Sequence, residues 1–454
     1  MLREASLIEL ARDLERRRVR SRDLVERCLE RIADERGEGS RAFLRIDADA
    51  SRAAGEHHDT ERARGRTRSP FAGIPIAVKD NIDIAGEVTA AGSRVLADAP
   101  AAARDAVCVA RLRAWGFVPI GRTNMTEFAY SGLGLNPHYG TPLNPWDRTV
   151  GRVPGGSSSG AAVAVADGMA FGAIGTDTGG SCRIPAAFCG LVGFKPTTGA
   201  VPTQGVFPLS ETLDSLGALA TTVSGVAVLI AALGEQTLYT INPAPLRGLR
   251  LAILENVALD DLAPGVATAF EAQCLRLERA GARLERLSLG SLATIARINA
   301  KGGFAAFESW RRLGGLLQHA RDRFDPRVAS RIERGAEQND SDYVDMLELR
   351  AHLVKAACSA LQGFSAVLMP TVALTAPRLS ELVKDDAHYY QVNLLVLRNT
   401  SIANLLGAPA ISVPAGLVDG LPVGLTAMGH PGADTDLLAI AAGFEAALQG
   451  SSHG

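Results

Sequence analysis

Short apolar runs alternate with amphipathic stretches along most of the chain, and this pattern predicts alternating strands and helices. Residues 73–78 form an apolar run typical of a buried strand, which leads directly into Lys79. Residues 105–115 carry apolar side chains at helical spacing and end at Gly116, and a further apolar run, 117–120, follows. Because helices alternate with strands throughout, we predict an α/β fold with a mixed sheet that is largely parallel in character.

The same periodicities predict the remaining elements. Predicted strands are 169–174, 191–194, 249–254, 283–287, 366–370, 410–414 and 423–428. Predicted helices are two within 6–35, a short one starting at 123–128, and 159–167, 224–233, 264–280 and 436–448, with a mostly helical stretch at 291–362. No internal repeat or low-complexity linker divides the series, so one domain over residues 1–454 is the simplest interpretation.

Composition narrows the functional class. The chain has 47 basic and 49 acidic residues, so its net charge is close to zero. This balance does not favour binding to nucleic acid or to a charged membrane surface. Charged residues at Arg3, Glu4 and Glu9 interrupt the opening segment, which argues against a signal peptide. Apolar stretches such as 226–233 are too short to cross a bilayer. We therefore expect a cytoplasmic protein.

The cysteine and histidine patterns give no motif for a metal or a cofactor. The six cysteines are scattered without a CxxC pair, as expected of reduced thiols in a reducing compartment. The histidines form neither an HExxH motif nor a cluster with cysteine. We therefore expect no metal and no cofactor.

Lysine is rare, and one lysine stands where a strand ends. The chain has five lysines and forty-two arginines. Because arginine supplies most of the positive charges, a position that has lysine instead indicates a role for an amine that can lose its proton. Lys79 follows the apolar run 73–78. One interpretation is a surface lysine paired with Asp80 or Asp83, and the other is a buried amine that acts as a base.

Two clusters of glycine and hydroxyl residues flank an apolar stretch rich in alanine and valine. The second, residues 175–181, ends at Ser181, where consecutive small residues can direct backbone N–H groups toward one anion. A plain capped turn is the alternative, and a phosphate loop is disfavoured because Cys182 stands where that motif has lysine. The first, residues 155–160, contains Ser157 and resembles a flexible linker, although its apolar flanks argue against one.

Rival nucleophilic motifs are weaker. Cys182 and Cys189 lie near the second cluster, but a Cys–His mechanism needs a histidine, and His138 is the one available in this region. A core or half-buried thiol is the better interpretation of both cysteines. The run 155–160 does not have the glycine spacing of a GxSxG nucleophile elbow.

Taken together, these motifs resemble the amidase signature family. The resemblance is carried by GIPIAVKDNID, TNMTEFAY, GGSSSG, GTDTGGSCRIPAAFCGLVGFKPT, VPTQGVFPLSETLDSLGALATTV and NLLGAPAISVPAG…GLPVGLTAMG. It is most specific over a core of about residues 73–222. It is weakest through the middle of the chain, where a variable, mostly helical region of about 290–365 is expected to shape the substrate site. The resemblance implies the amidase signature fold, a large mixed sheet with helices on both faces.

The resemblance also implies a set of site residues. The catalytic residues would be Lys79, Ser157 and Ser181, with a cis peptide before the Ser157 nitrogen. The oxyanion hole would be formed by the backbone of Thr178, Gly179, Gly180 and Ser181, and the supporting residues would be Ser158, Thr176, Asp177 and Arg183. Ser159 and Cys182 depart from the usual pattern, outside the three catalytic residues.

The implied activity is hydrolysis of a small-molecule amide to a carboxylate and ammonia or an amine, through an acyl-enzyme on Ser181. The alternative is the A-type glutaminase subunit of a glutamyl- or aspartyl-tRNA amidotransferase, and a binding module that retains the fold is a third, weaker interpretation. We expect no direct nucleic-acid or membrane partner, and a homodimer is compatible with the resemblance.

The substrate pocket is expected near residues 125–130, near Leu209 and in the region 300–400. Phe304, Tyr389 and Tyr390 lie in that region, with core packing as the preferred role for each.

Overall fold

The computed structural model describes residues 5–234 and 240–449, and its centre is one sheet of eleven strands. The strands are β1 Phe43–Ile46, β2 Pro75–Lys79, β3 Val118–Thr123, β4 Ala173–Asp177, β5 Val192–Lys195, β6 Ser215–Ala220, β7 Arg250–Leu254, β8 Arg283–Leu287, β9 Ala366–Pro370, β10 Ala410–Val418 and β11 Leu421–Met428. Their order in the sheet is β1-β3-β2-β4-β6-β5-β10-β11-β9-β7-β8. The mixed sheet and its helical cover confirm the predicted α/β class.

Helices surround this sheet. They are α1 Leu7–Glu15, α2 Ser21–Ala33, α3 Gly39–Ala42, α4 Ala48–Ala63, α5 Val107–Trp115, α6 Ser159–Ala166, α7 Arg183–Cys189, α8 Val223–Leu233, α9 Pro264–Arg279, α10 Thr294–Ile298, α11 Gly303–Ala320, α12 Pro326–Glu333, α13 Asp340–Ala360, α14 Leu379–Leu382, α15 Asp386–Leu405 and α16 Asp434–Gln449. Short 3₁₀ segments lie at Glu127–Ala129, Gly290–Ala293, Arg321–Arg323 and Arg334–Glu337.

The expectation of a largely parallel sheet is wrong. Of the ten strand pairings among the described residues, four are parallel and six are antiparallel. The difference arises because β6 lies antiparallel between β4 and β5, and because β10 and β11 form an antiparallel hairpin. Neither arrangement follows from alternating helix and strand signals.

Strand β6 was missed because its sequence, SLGALA, lacks the β-branched and aromatic residues that mark strands. Its glycine is required by packing. A Cβ at Gly217 would lie 2.5 Å from the Phe194 carbonyl oxygen and 2.8 Å from the Cys182 sulfur. Glycine is therefore needed at position 217 because neighbouring atoms approach its backbone closely, and not because of its strand propensity.

Two other element boundaries differ from the sequence prediction. The strand expected at 169–174 lies at β4 and extends to Asp177, so it carries polar residues into the sheet. The helix expected to start at 123–128 is replaced by the end of β3 and a 3₁₀ turn at Glu127–Ala129.

The sheet brings two polar strand ends together. Strands β2 and β4 are parallel neighbours, with Ala77 opposite Ala173 and Val78 opposite Ile174. Because the carboxyl ends of parallel neighbours meet at one edge of a sheet, Lys79 at the end of β2 lies beside the end of β4. Helix α6, buried along nearly its whole length, packs against both strands.

No helix within residues 5–234 and 240–449 is both long and apolar enough to span a membrane.

Candidate active site

Lys79 is fully buried and contacts Ser157 directly. Its Nζ donates to the Ser157 Oγ at 2.7 Å and to the Thr176 Oγ1 at 2.8 Å. Asn81 donates to the same Thr176 hydroxyl at 3.1 Å, which orients it toward the lysine. Of the two interpretations of Lys79, the buried amine is therefore the one found.

The surroundings of Lys79 make its neutral form more accessible than that of an exposed lysine. Burial lowers the pKa of the Lys79 ammonium to about 8, and the carboxylates of Asp214 and Asp177 oppose this shift. At pH 7 roughly a tenth of the amine is therefore neutral and free to accept a proton from the adjacent Ser157 hydroxyl.

The two Gly/Ser clusters lie side by side in the fold. The Ser158 N–H donates to the Ser181 carbonyl oxygen at 3.2 Å, which joins the first loop to the second. The peptide between Gly156 and Ser157 is cis, as the resemblance implies. Both Ser157 and Ser181 are buried, and Ser181 lines the wall of a cavity. Neither loop is a linker.

Asp177 and Arg183 form a fully buried ion pair beneath the second loop. Arg183 donates to both carboxylate oxygens of Asp177, at 2.8 and 3.1 Å. Burial opposes ionisation of Asp177, but the Arg183 guanidinium and the Asn404 amide outweigh it and keep the pKa of this carboxyl below its ordinary value. Since Arg183 also donates to the Thr400 carbonyl oxygen, it is anchored on α15.

One of the four residues predicted to form the oxyanion hole has its N–H engaged within the loop. The Gly180 N–H donates to Asp177 at 2.8 Å and is already engaged. The N–H groups of Thr178, Gly179 and Ser181, by contrast, donate to no other described residue. Gly180 has a positive φ of 129°, and a Cβ there would lie 2.1 Å from the Thr400 hydroxyl. Its role in the structure is therefore to shape the loop.

Three contributors to this loop were missed at the sequence level. Asn404 donates to the Asp177 carboxylate at 3.0 Å, and the Thr400 hydroxyl donates to the Gly179 carbonyl oxygen at 2.6 Å. Asp214 accepts from the Thr178 hydroxyl at 2.5 Å. Burial raises the pKa of Asp214 to about 6. Asp214 and Asn404 lie within segments that carry the resemblance, which is the signal that could have indicated them, whereas Thr400 lies outside those segments.

The rival cysteine nucleophiles do not fit this arrangement. Burial raises the pKa of the Cys182 thiol to about 12 and raises that of Cys189 further, so both thiols are neutral near pH 7. His138 is paired with Glu127 at 2.9 Å. Both cysteines are buried, in agreement with the interpretation as core thiols.

A cavity of about 640 Å³ opens beside Ser181. Part of its wall comes from the expected segments, namely Ala129 and Tyr130, Leu209, and residues of the region 300–400, while lining residues between 257 and 299 were not expected. Apolar side chains on these walls are Leu209, Leu213, Val257, Ile295, Leu394, Leu395, Leu397 and Leu405. Phe304 and Tyr389 are buried in the core, as preferred, and neither they nor Tyr390 is among the lining residues.

Within the described ranges, no cluster of three or more His, Cys, Asp or Glu side chains is arranged to bind a metal ion.

Comparison with known proteins identifies the family to which the chain belongs. The Amidase family model matches residues 23–438. The chain belongs to the amidase family. As a member of that family it is an enzyme, a hydrolase that acts on carbon–nitrogen bonds. A crystal structure of an amidase superposes on this amidase with a TM-score of 0.88 and 32% identity, covering 98% of this chain and 100% of the other.

Two relatives show how far function varies among proteins similar to this amidase. The 2-amino-5-chloromuconic acid deaminase of Comamonas testosteroni is 39% identical over 99% of this chain and 97% of its own length. The A-type subunit of the glutamyl-tRNA(Gln) amidotransferase of Symbiobacterium thermophilum is 37% identical over 93% of this chain and 92% of its own length.

The buried ion pair gives a stability prediction. Replacing Arg183 by methionine leaves Asp177 buried without its cation, and we expect a loss of about 3–5 kcal/mol in the free energy of unfolding. Urea unfolding at pH 7 measures it. The control is Arg321→Met, which breaks an exposed pair with Glu333 and is expected to change little. Equal losses in the two variants would contradict the structural role of Arg183.

Proposed function

We propose that this amidase hydrolyses a small-molecule amide to a carboxylate and ammonia or an amine through an acyl-enzyme on Ser181. The observation that carries the proposal is the 2.7 Å hydrogen bond from the buried Lys79 Nζ to the Ser157 Oγ, beside a loop that presents Ser181 to the cavity. A lysine with a lowered pKa next to Ser157 can act as a base that accepts a proton through Ser157 from the Ser181 hydroxyl.

In the proposed reaction, neutral Lys79 accepts a proton from Ser157 while Ser157 accepts one from Ser181. The Ser181 oxygen attacks the amide carbon, and the negative charge that develops on the carbonyl oxygen is bound by the N–H groups of Thr178, Gly179 and Ser181. Ser157 then donates a proton to the leaving nitrogen and takes one back from the Lys79 ammonium, so that the carbon–nitrogen bond breaks and the lysine becomes neutral again. A water molecule that passes its proton to the same relay hydrolyses the ester on Ser181.

The supporting residues act on the loop. Thr176 fixes the Lys79 ammonium, while Asp177 and Arg183 set the backbone of residues 178–181. Ser158 keeps the two loops in register through its N–H. We assign these residues positioning roles.

Trapping the intermediate tests the proposal. With a primary amide as substrate, hydroxylamine should intercept the ester on Ser181, so that the purified chain releases a hydroxamate in addition to the acid. A hydroxamate-free reaction, with the acid formed at an unchanged rate as hydroxylamine is raised, would contradict an acyl-enzyme.

The second candidate is the A-type subunit of an amidotransferase, favoured by the similarity to the Symbiobacterium thermophilum protein over most of both chains. The two candidates differ in their need for partners. We expect the purified chain to hydrolyse amides alone. Glutamine hydrolysis that requires added partner subunits and charged tRNA would support the second candidate.

A further inference from the structure

Three arginines line the same cavity as Ser181. Arg331 and Arg334 come from α12 and the 3₁₀ turn that follows it, and Arg398 comes from α15. None of the three forms an ion pair with a carboxylate of the described residues. Among the described lining residues, the acidic one is Asp261, which is exposed; its carboxylate and that of Asp260 act on Arg398 through space, beyond ion-pair distance.

Each of these guanidinium groups keeps unused donors. Arg331 donates to the Tyr130 carbonyl oxygen, and Arg334 donates to that of Ala300. Arg398 donates to the Asn399 side chain and, at 3.5 Å, to the Ala258 carbonyl oxygen. A guanidinium has about five N–H donors, so most remain available, and every acceptor used by these three is neutral.

Arg331 contacts a segment that supports the first loop, and Arg398 lies on a helix that supports the second. The Arg331 guanidinium stacks over the Tyr130 ring at 4.3 Å, and nearby in the chain the Gly132 carbonyl oxygen accepts from the Gly156 N–H. Arg398 lies on α15, where the Thr400 hydroxyl donates to Gly179. Both arginines are half-buried, which strengthens their attraction for an anion.

We infer that the substrate is an amide that also carries a carboxylate, bound by Arg331 and Arg398, with Arg334 adding positive charge at the exposed side. This inference rests on the proposed function. The leucines and isoleucine of the cavity contact the body of the substrate between its amide and its carboxylate. A planar guanidinium suits this task because it donates to both oxygens of a carboxylate at once.

The test compares pairs of amides. Glutaramate and adipamate carry a terminal carboxylate, and their matched analogues have an isopropyl group in its place. Ammonia release should give a kcat/KM for the carboxylated amides at least about tenfold above that of the analogues, because a hydrogen bond to a charged group contributes about 1.5–3 kcal/mol. Equal or better turnover of both neutral analogues would overturn the inference.

Variants of the cavity arginines test which residues cause the preference for carboxylated amides. In Arg331→Gln and Arg398→Gln, the kcat/KM for the carboxylated amides should fall about 10- to 100-fold, mainly through KM, while that for the neutral analogues changes little. The matched control is Arg327→Gln. Arg327 lies on α12 and stacks over Tyr389 at 4.5 Å, but it pairs with Asp386 and does not line the cavity. A preference that survives in both cavity variants would overturn the assignment.

A binding measurement separates failure of this inference from failure of the proposed function. A fluorophosphonate should label Ser181, and glutarate should slow that labelling in the wild type but much less in Arg331→Gln and Arg398→Gln. Absence of labelling at Ser181 would contradict the proposed function. Labelling that glutarate slows no more than a neutral diol of equal length would overturn the carboxylate site and leave the proposed function standing.

Discussion

Replacing Ser181 by alanine is expected to lower kcat by about 10⁴-fold or more, because the variant has no oxygen to form the proposed acyl-enzyme. The loss should appear in kcat with substrate binding largely preserved, since the Ser181 side chain is one small group on the wall of a 640 Å³ cavity. Steady-state kinetics with the preferred amide and fluorophosphonate labelling followed by mass spectrometry measure the two consequences.

The neighbouring thiol provides the control for this variant. Cys182 follows Ser181 directly, is fully buried, and has a pKa raised by burial to about 12. Cys182→Ala should therefore keep both turnover and labelling. If Cys182→Ala instead removed activity while Ser181→Ala retained it, the nucleophile would be misassigned.

Replacing Lys79 is expected to lower kcat/KM by about 10²–10⁴-fold, the range typical for loss of a general base. Lys79→Arg should not restore activity, because a guanidinium stays protonated and cannot accept the Ser157 proton. Urea unfolding of each variant checks that the fold persists. Full turnover by Lys79→Arg would exclude the base assignment.

The pH profile makes the Lys79 prediction specific. The proposed base acts in its neutral form, so the kcat/KM of the wild type should rise as pH increases through about 8, the lowered pKa of Lys79. The residual activity of Lys79→Ala should not show this rise in kcat/KM near pH 8. Fluorophosphonate labelling rates at each pH report the same ionisation without a substrate.

A second buried lysine provides the matched control. Burial also lowers the pKa of Lys195, to about 7, but its Nζ donates to the Pro196 carbonyl oxygen at 2.6 Å and to Ser215 at 3.4 Å. Lys195→Met should therefore leave the titration near pH 8 in place. Its disappearance in Lys195→Met, with persistence in Lys79→Ala, would transfer the base role to Lys195.

Much of the candidate site could be predicted because its signals are local. The apolar run before Lys79 and the small residues before Ser181 are visible within a few positions, and each reflects a backbone requirement of that segment. The motifs of the amidase family then indicated which serines belong together. The engagement of the Gly180 N–H by Asp177 was not visible, because it depends on the conformation of the loop.

The walls of the cavity could not be predicted in the same way. Arg331 and Arg398 lie more than two hundred positions from Tyr130 and at least 150 positions from Ser181 along the chain, and nothing in their own neighbourhoods distinguishes them from the other arginines. What distinguishes these two arginines is that neither forms an ion pair with a carboxylate of the described residues. Only the tertiary structure determines which side chains surround them. Phe304 and Tyr389, named from their location in the chain, proved to be core residues.

By itself the sequence determined the α/β class, the family, and the identity of the residues at the strand ends, since these depend on short patterns of apolar, small and polar side chains. The tertiary structure decided how the strands are ordered. It inserted β6 antiparallel beside β4, placed β2 next to β4 so that Lys79 reaches Ser157, and brought α15 beneath the Ser181 loop. These contacts join segments far apart in the chain, and packing of the whole core selects them.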